Sequence, residues 1–258
     1  MASARAQGAA SSRDRQDASP QRQPCRAPGR TAIRQGSAKI PRPSDFTQAS
    51  WTAQTRANAA ARAAPRRLST RTVRHLARAA MRDLGRPEAP VVHGQRRDPL
   101  WPEGLVGSMT HCRGNRAAAL ARRTDVVGLG LDAEPNEPLS SGVLDVIGLP
   151  EERAQLLDLR AEDPTVYWDR LLFCVKEAIY KVWFPLAGTW LGFTVALVSL
   201  VSFGGTDGTF TVVHQIPGPP LGTQIPQTLH TLHGRWHSER GVLAAATLVP
   251  IAPVSAAP

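Results

Sequence analysis

Lysine is scarce in this chain of 258 residues: Lys39, Lys176 and Lys181 are the only three, against 28 arginines. Cysteine is scarce too. Cys25, Cys112 and Cys174 form no CxxC pair, which excludes a disulfide framework and reads as reduced thiols in a cytoplasm. A zinc site at His111–Cys112 would lack a second ligand pair. Long apolar runs are missing: the longest, Phe193 to Phe203, is too short to cross a bilayer. The N-terminus carries no apolar h-region and does not read as a secretory signal. Acids are scarce in the front, where the first glutamate is Glu88.

That last scarcity explains the net charge of +10. Residues 1–65 hold 11 basic and 3 acidic residues, residues 66–87 hold 7 and 1, and residues 88–258 hold 13 and 17. The compact part is mildly acidic, so a basic-tail nucleic-acid-binding protein is an alternative that rests on the front alone. Its only aromatics there are Phe46 and Trp51, too few for a stacking platform. Residues 1–65 read as a disordered basic tail. An organellar transit peptide has a similar composition, but the use of Arg for Lys throughout fits a GC-rich bacterial coding bias. A misassigned start or a frameshift is a further alternative for this stretch.

Behind the tail the spacing of Val73, Leu76, Ala77, Ala80, Met81 and Leu84 predicts a helix from Arg71 to Leu84, ended by Gly85 and Pro87. Leu105–Thr110, Arg116–Ala121 and Val126–Asp132 read as three short strands. Pro150 opens a helix through Leu159. A longer helix from Val166 to Phe184 stops at Pro185, with Leu171, Leu172, Val175, Ile179 and Val182 on its apolar face. Thr194–Val201, Thr209–Gln215, Thr228–Trp236 and Val242–Val249 suggest strands. The fold class is α+β, two runs of strands separated by helices.

Asp132 and Glu134 lie two apart at a strand end, which puts both carboxylates on one face. Such a pair suits a hard divalent cation; it equally suits a solvated turn. On the long helix Glu177 and Lys181 share a face and Lys176 is rotated away from them. They form either an ordinary ion pair or a phosphate-handling set, and the scarcity of lysine favours the second, since an ammonium point charge suits phosphate. Gly128–Ala133 formally matches GxGxxG/A, but the segment runs on into Asp132, Glu134 and Pro135 and opens no helix, so a dinucleotide site is rejected. His111 alone reads as a structural hydrogen-bonder. Ser108 is not in a GxSxG elbow. Trp183, Trp190 and Phe193 read as core before cofactor face.

Together, Gly107–Cys112 (GSMTHC), Val127–Pro135 (VGLGLDAEP) and Phe173–Lys181 (FCVKEAIYK) resemble the three ordered motifs of the Sfp/EntD-type 4′-phosphopantetheinyl transferases. Trp168–Phe173 (WDRLLF) and Trp183–Phe193 (WFPLAGTWLGF) resemble the actinobacterial EntD-like branch, and the resemblance runs from Arg66 to Val249. It implies a pseudo-two-fold pair of α+β halves, residues 66–138 and 139–250, with 251–258 a disordered C-terminus. It implies transfer of phosphopantetheine from coenzyme A to a serine of acyl or peptidyl carrier proteins, with Mg2+ bound and 3′,5′-ADP released. The settings it suggests are siderophore (enterobactin-like), polyketide, nonribosomal peptide or lipid synthesis, in a cytoplasmic monomer with no membrane partner. By resemblance Asp132, Ala133 (through its carbonyl), Glu134 and Glu177 hold the metal; Glu177, Lys181 and His111 are catalytic; Arg66, Arg74, His93, Thr110, His111, Asp132, Lys176, Glu177, Lys181, Trp190 and Leu191 contact coenzyme A. The chain departs from the family in its front region and in His93–Pro102, where His93 replaces an expected lysine and Arg97 an expected glycine. A weakly active relative that binds coenzyme A or carrier proteins is therefore the other alternative.

Overall fold

A computed structural model describes residues 31–35, 38–40, 66–214 and 231–251, with side chains for 72–213 and 231–251. The first helix, α1 (Arg66–Asp83), buries Val73, Ala77, Ala80 and Met81, the face its apolar spacing predicts. Gly85 at φ +70 and the bond from Arg86 N to Met81 O close it in a Schellman-type cap.

Within residues 1–65, read as a disordered basic tail, two short strands are described: β1 (Thr31–Gln35) and β2 (Ala38–Ile40). They add to the edge of a hairpin formed by β5 (Leu105–Cys112) and β6 (Asn115–Arg122), in the order β2-β1-β6-β5. A free strand edge offers backbone donors and acceptors to any extended segment, without needing a strong apolar signal in its partner. A short ribbon of β3 (Val92–His93) and β4 (Pro99–Leu100) precedes the hairpin. β6 is almost all alanine in its middle and is buried on both faces. Ala118 and Leu120 pack with α1, while Ala117, Ala119 and Ala121 pack with the next strand. Small side chains allow that two-sided approach.

The second sheet has the order β7-β11-β10-β9-β8 and is antiparallel throughout. Its strands are β7 (Val126–Pro135), β8 (Ala196–Ser202), β9 (Asp207–His214), β10 (Thr231–Glu239) and β11 (Val242–Pro250). A 3-10 turn at Phe193–Val195 precedes β8 and delays its start past the expected Thr194. Between β7 and β8 come α2 (Val143–Ile147), α3 (Pro150–Glu162) and α4 (Trp168–Ala187). α4 runs through Pro185, beyond the expected stop, and ends at Gly188, φ +66. In a last turn the missing proline N–H forfeits a single bond, which the packing of Val182, Trp183 and Ala187 tolerates.

α4 lies against β7 at the two glycines of the rejected dinucleotide pattern. A Cβ on Gly130 would come within 2.0 Å of the Ala178 carbonyl oxygen. The GxG pattern therefore serves close helix–strand contact. Trp168 and Trp236 meet edge to face at 5.2 Å in the core beneath α4. No helix among the described residues is long and apolar enough to cross a membrane.

Candidate functional site

β5 and β7 belong to different sheets and run side by side in the same direction. Side-chain hydroxyls join them. Ser108 Oγ accepts from Leu131 N at 3.0 Å and donates to Leu131 O at 3.3 Å. Thr110 Oγ1 accepts from Ala133 N at 3.1 Å and donates to Asp132 Oδ1 at 2.7 Å. The end of β7 is thereby fixed between the two sheets, with α4 across it.

Asp132 is 4 % exposed. Lys181 Nζ on α4 donates to the same Asp132 Oδ1 at 2.6 Å and to Leu131 O at 3.2 Å. Asp132 Oδ2 is buried and has no hydrogen-bond partner. Lys181 thus bridges to the strand and does not form the ordinary pair with Glu177 that their spacing allows. Glu134 pairs with Arg170 at 3.2 Å. Burial, and then the Asp132 charge, raise the Glu134 carboxyl above its ordinary range against the pull of Arg170 and Lys181. Burial and then Asp132 raise Glu177 in the same way, against Lys181. Asp132 therefore acts electrostatically on both other carboxylates.

A buried carboxylate oxygen with no donor, flanked by two acids held above their usual pKa, is a site short of positive charge. All its donors are hard oxygens, the set a divalent cation such as Mg2+ prefers. Among the described residues no three acidic, histidine or cysteine side chains stand close enough to hold a metal ion between them. Asp132 and Glu134 would hold one only as part of an open site completed by water or substrate oxygens. The nearby thiols do not add to it. Burial, then Glu134 and Asp132, push Cys112 up to about 12, and burial, Asp132 and Glu134 push Cys174 well up. Without a metal beside them, neither is a thiolate at neutral pH.

A cavity of about 530 Å3 opens beside Lys181 between β5 and α4. Gly107, Ser108 and Met109 line one side, Tyr180, Phe184 and Trp190 the other, and Arg96 and Arg97 its mouth. Trp190 is 71 % exposed and meets Tyr180 at a 56° tilt with ring centroids 4.9 Å apart; the core reading holds for Trp183 and fails for Trp190. Arg96 donates to Gly188 O at 2.6 Å and lies over the Phe184 ring. Arg97 adopts φ +66 where the family pattern has glycine.

The remaining expected residues are scattered. Arg74 binds the His93 ring through Nε2, and His93 Nδ1 lies 3.3 Å from Arg97 O, so both belong to the mouth region. Strand alternation turns the exposed His111 to the face of β5 opposite Thr110. Leu191 is buried beside Glu177 in a small pocket. The Arg66 side chain lies outside the described residues. Lys176 is not at the cleft. It is 3 % exposed and donates to Glu152 at 2.7 Å and to the carbonyls of Ile147, Phe193 and Ala196. Helix geometry turns it about 100° around α4 from Glu177, and its ammonium is taken up by these partners.

Sequence reasoning gave Arg170 no role. Its guanidinium also donates to Glu137 O at 3.2 Å and Pro138 O at 2.8 Å, tying the segment after Glu134 to α4. The signal was present: Arg170, Cys174, Glu177 and Lys181 recur at the spacing of one helical stripe. Tyr180 and Phe184, which line the cavity, were hidden inside an apolar helix pattern.

Comparison with known proteins agrees with this geometry. The profile of the 4′-phosphopantetheinyl transferase N-terminal domain matches residues 54–121, beginning ahead of α1. That of the 4′-phosphopantetheinyl transferase superfamily matches residues 128–233. The chain is 47 % identical to the 4′-phosphopantetheinyl transferase Svp of Streptomyces mobaraensis, over 73 % of this chain and 75 % of that protein. It is 46 % identical to the 4′-phosphopantetheinyl transferase PptT of Mycobacterium tuberculosis, over 72 % and 80 %. It is 29 % identical to the enterobactin synthase component D of Salmonella typhimurium, over 66 % and 68 %.

Proposed function

The chain belongs to the 4′-phosphopantetheinyl transferase superfamily, and from that premise we propose that it takes phosphopantetheine from coenzyme A, with Mg2+ at Asp132, the Ala133 carbonyl, Glu134 and Glu177. The observation that carries this reading is the buried, partnerless Asp132 Oδ2 beside Lys181. The transferase domain is residues 66–250, its two larger sheets meeting at the β5–β7 seam.

The aromatic and apolar cavity wall of Met109, Tyr180, Phe184 and Trp190 suits the uncharged pantetheine arm. Arg74, Arg96 and Arg97 suit the 3′-phosphate and nucleotide end. A bound divalent cation would neutralise pyrophosphate charge as it shifts toward the leaving group. Lys181 supplies a fixed positive charge to the same oxygens. The carrier serine Oγ attacks the β-phosphorus, the bond to the 5′-phosphate oxygen breaks, and 3′,5′-ADP leaves. Glu177 takes the serine proton, directly or through water. Its raised pKa brings it closer to neutral pH, which suits a base.

The carriers are those of siderophore, polyketide, nonribosomal peptide or lipid synthesis, and the enzyme acts as a cytoplasmic monomer. Mass spectrometry of an apo carrier protein incubated with this chain, coenzyme A and Mg2+ tests the reading. One phosphopantetheine should be added per carrier serine, and chelation should abolish the addition. Unchanged carrier mass at saturating Mg2+ defeats the coenzyme A assignment, and full transfer after chelation defeats the metal.

A further inference from the structure

We propose that Thr110 is a positioning residue for Asp132, selecting Oδ2 as the metal-facing oxygen, and that Ser108 fills the same place in the fold without that duty. The inference rests on the reading of Asp132 as a metal ligand. Both hydroxyls are buried, at 2 % exposure for Ser108 and 4 % for Thr110. Both accept a backbone N–H from β7, Ser108 from Leu131 and Thr110 from Ala133. That bond occupies a lone pair and turns each hydroxyl proton away from the donating N–H.

The protons then go to different places. Ser108 returns its proton to Leu131 O, within the same peptide seam. Thr110 gives its proton to the Asp132 side chain. Lys181 donates to that same oxygen from the opposite element. With two donors converging on Oδ1, the carboxylate plane is held from β5 and from α4 at once. Oδ2 is left buried and partnerless. Lys181 alone, on a flexible stem, can follow a rotating carboxylate, so it sets no plane by itself. The Thr110 hydroxyl cannot follow, because its bond to Ala133 N anchors it. The methyl of Thr110 contributes nothing to this, so serine should substitute and valine should not.

Mn2+ titrated into the full chain, with free ion read by electron paramagnetic resonance, tests the assignment without turnover. Thr110→Val should weaken Mn2+ binding about ten- to a hundredfold, the usual consequence of losing an outer partner of a metal ligand. Thr110→Ser should bind within a few-fold of the parent. Ser108→Ala, which loses a seam bond of the same kind, should also bind within a few-fold. Should Thr110→Val fail to fold by circular dichroism, Thr110→Ala takes its place with the same expected loss. Parental Mn2+ affinity in the hydroxyl-free variants overturns the proposal. So does an equal loss in Ser108→Ala, which would make Thr110 merely part of the seam. Asp132→Asn separates the two levels: if it leaves Mn2+ affinity unchanged, the metal reading itself fails and takes this inference with it.

Discussion

Lys176 and Glu177 are neighbours in the chain, about 100° apart around α4, and their charges answer to different partners. Lys176 is locked to Glu152 at 2.7 Å in a pair that is almost wholly buried. Glu177 lies in the field of Asp132 and Lys181. The Glu152 carboxylate also accepts from Leu149 N and Val198 N. One buried pair thus joins α3, α4 and the free edge of β8, and it sets the rotation of α4 that presents Glu177.

Lys176→Met should therefore cost stability and not recognition. It leaves a buried carboxylate without its cation, a loss of about 3–5 kcal/mol. Urea unfolding should show that loss, and Lys176→Met/Glu152→Leu should recover much of it. Calorimetry on the folded fraction should give parental coenzyme A affinity. A selective loss of coenzyme A binding at unchanged stability would return Lys176 to the cleft.

Glu177→Gln should lower single-turnover transfer about a hundred- to ten-thousandfold, the range for loss of a general base. Coenzyme A binding at saturating Mg2+ should change far less, since Arg74, Arg96, Arg97 and Lys181 remain. Transfer within a few-fold of the parent would show that another group takes the proton.

The metal-free protein should lose stability as pH rises because of Glu134 and Glu177. Their folded pKa values lie above the ordinary glutamate range, so the folded state binds protons more tightly than the unfolded chain. Their stabilising contribution is complete below the ordinary glutamate pKa and is lost as pH climbs through the raised values. In chelator the parent Tm should fall relative to that of Glu134→Gln/Glu177→Gln between mildly acidic and neutral pH. Parallel Tm curves for the two proteins would contradict the raised pKa values.

Gly130→Ala should be far more damaging than Gly128→Ala. A Cβ at Gly130 meets the Ala178 carbonyl, a rigid backbone atom, at 2.0 Å, whereas at Gly128 the nearest atom is the Leu186 Cδ1 at 3.0 Å. The first must push α4 off β7, an overpacking cost of about 1–3 kcal/mol or more, and should displace Lys181 from Asp132 and reduce transfer. The second needs only a side-chain adjustment. Thermal melts and carrier modification measured on both variants check the order.

Much of this architecture was legible in local pattern. The alternation around Asp132 and Glu134 placed both carboxylates at a strand end, and the apolar spacing of Leu171, Leu172, Val175, Ile179 and Val182 defined the buried face of α4. The three motifs, in order, identified the family, because side-chain type and short spacing are properties of the chain itself. Local pattern was less reliable where an element's end depends on what packs beside it, as with α4 beyond Pro185 and β1 on the edge of β6.

Only the tertiary structure decided which neighbours each polar atom finds. Helical rotation separates Lys176 from Glu177, but nothing local says that Glu152, on another helix, will hold the lysine. The same holds for Arg170 on Glu134, for Trp190 leaving the core, and for Thr110 meeting Asp132 across two sheets. The physical reason is that periodicity tells which face a residue occupies, whereas the partner opposite that face comes from a distant part of the chain. Which oxygen of a buried carboxylate stays free is settled only when every donor around it is in place.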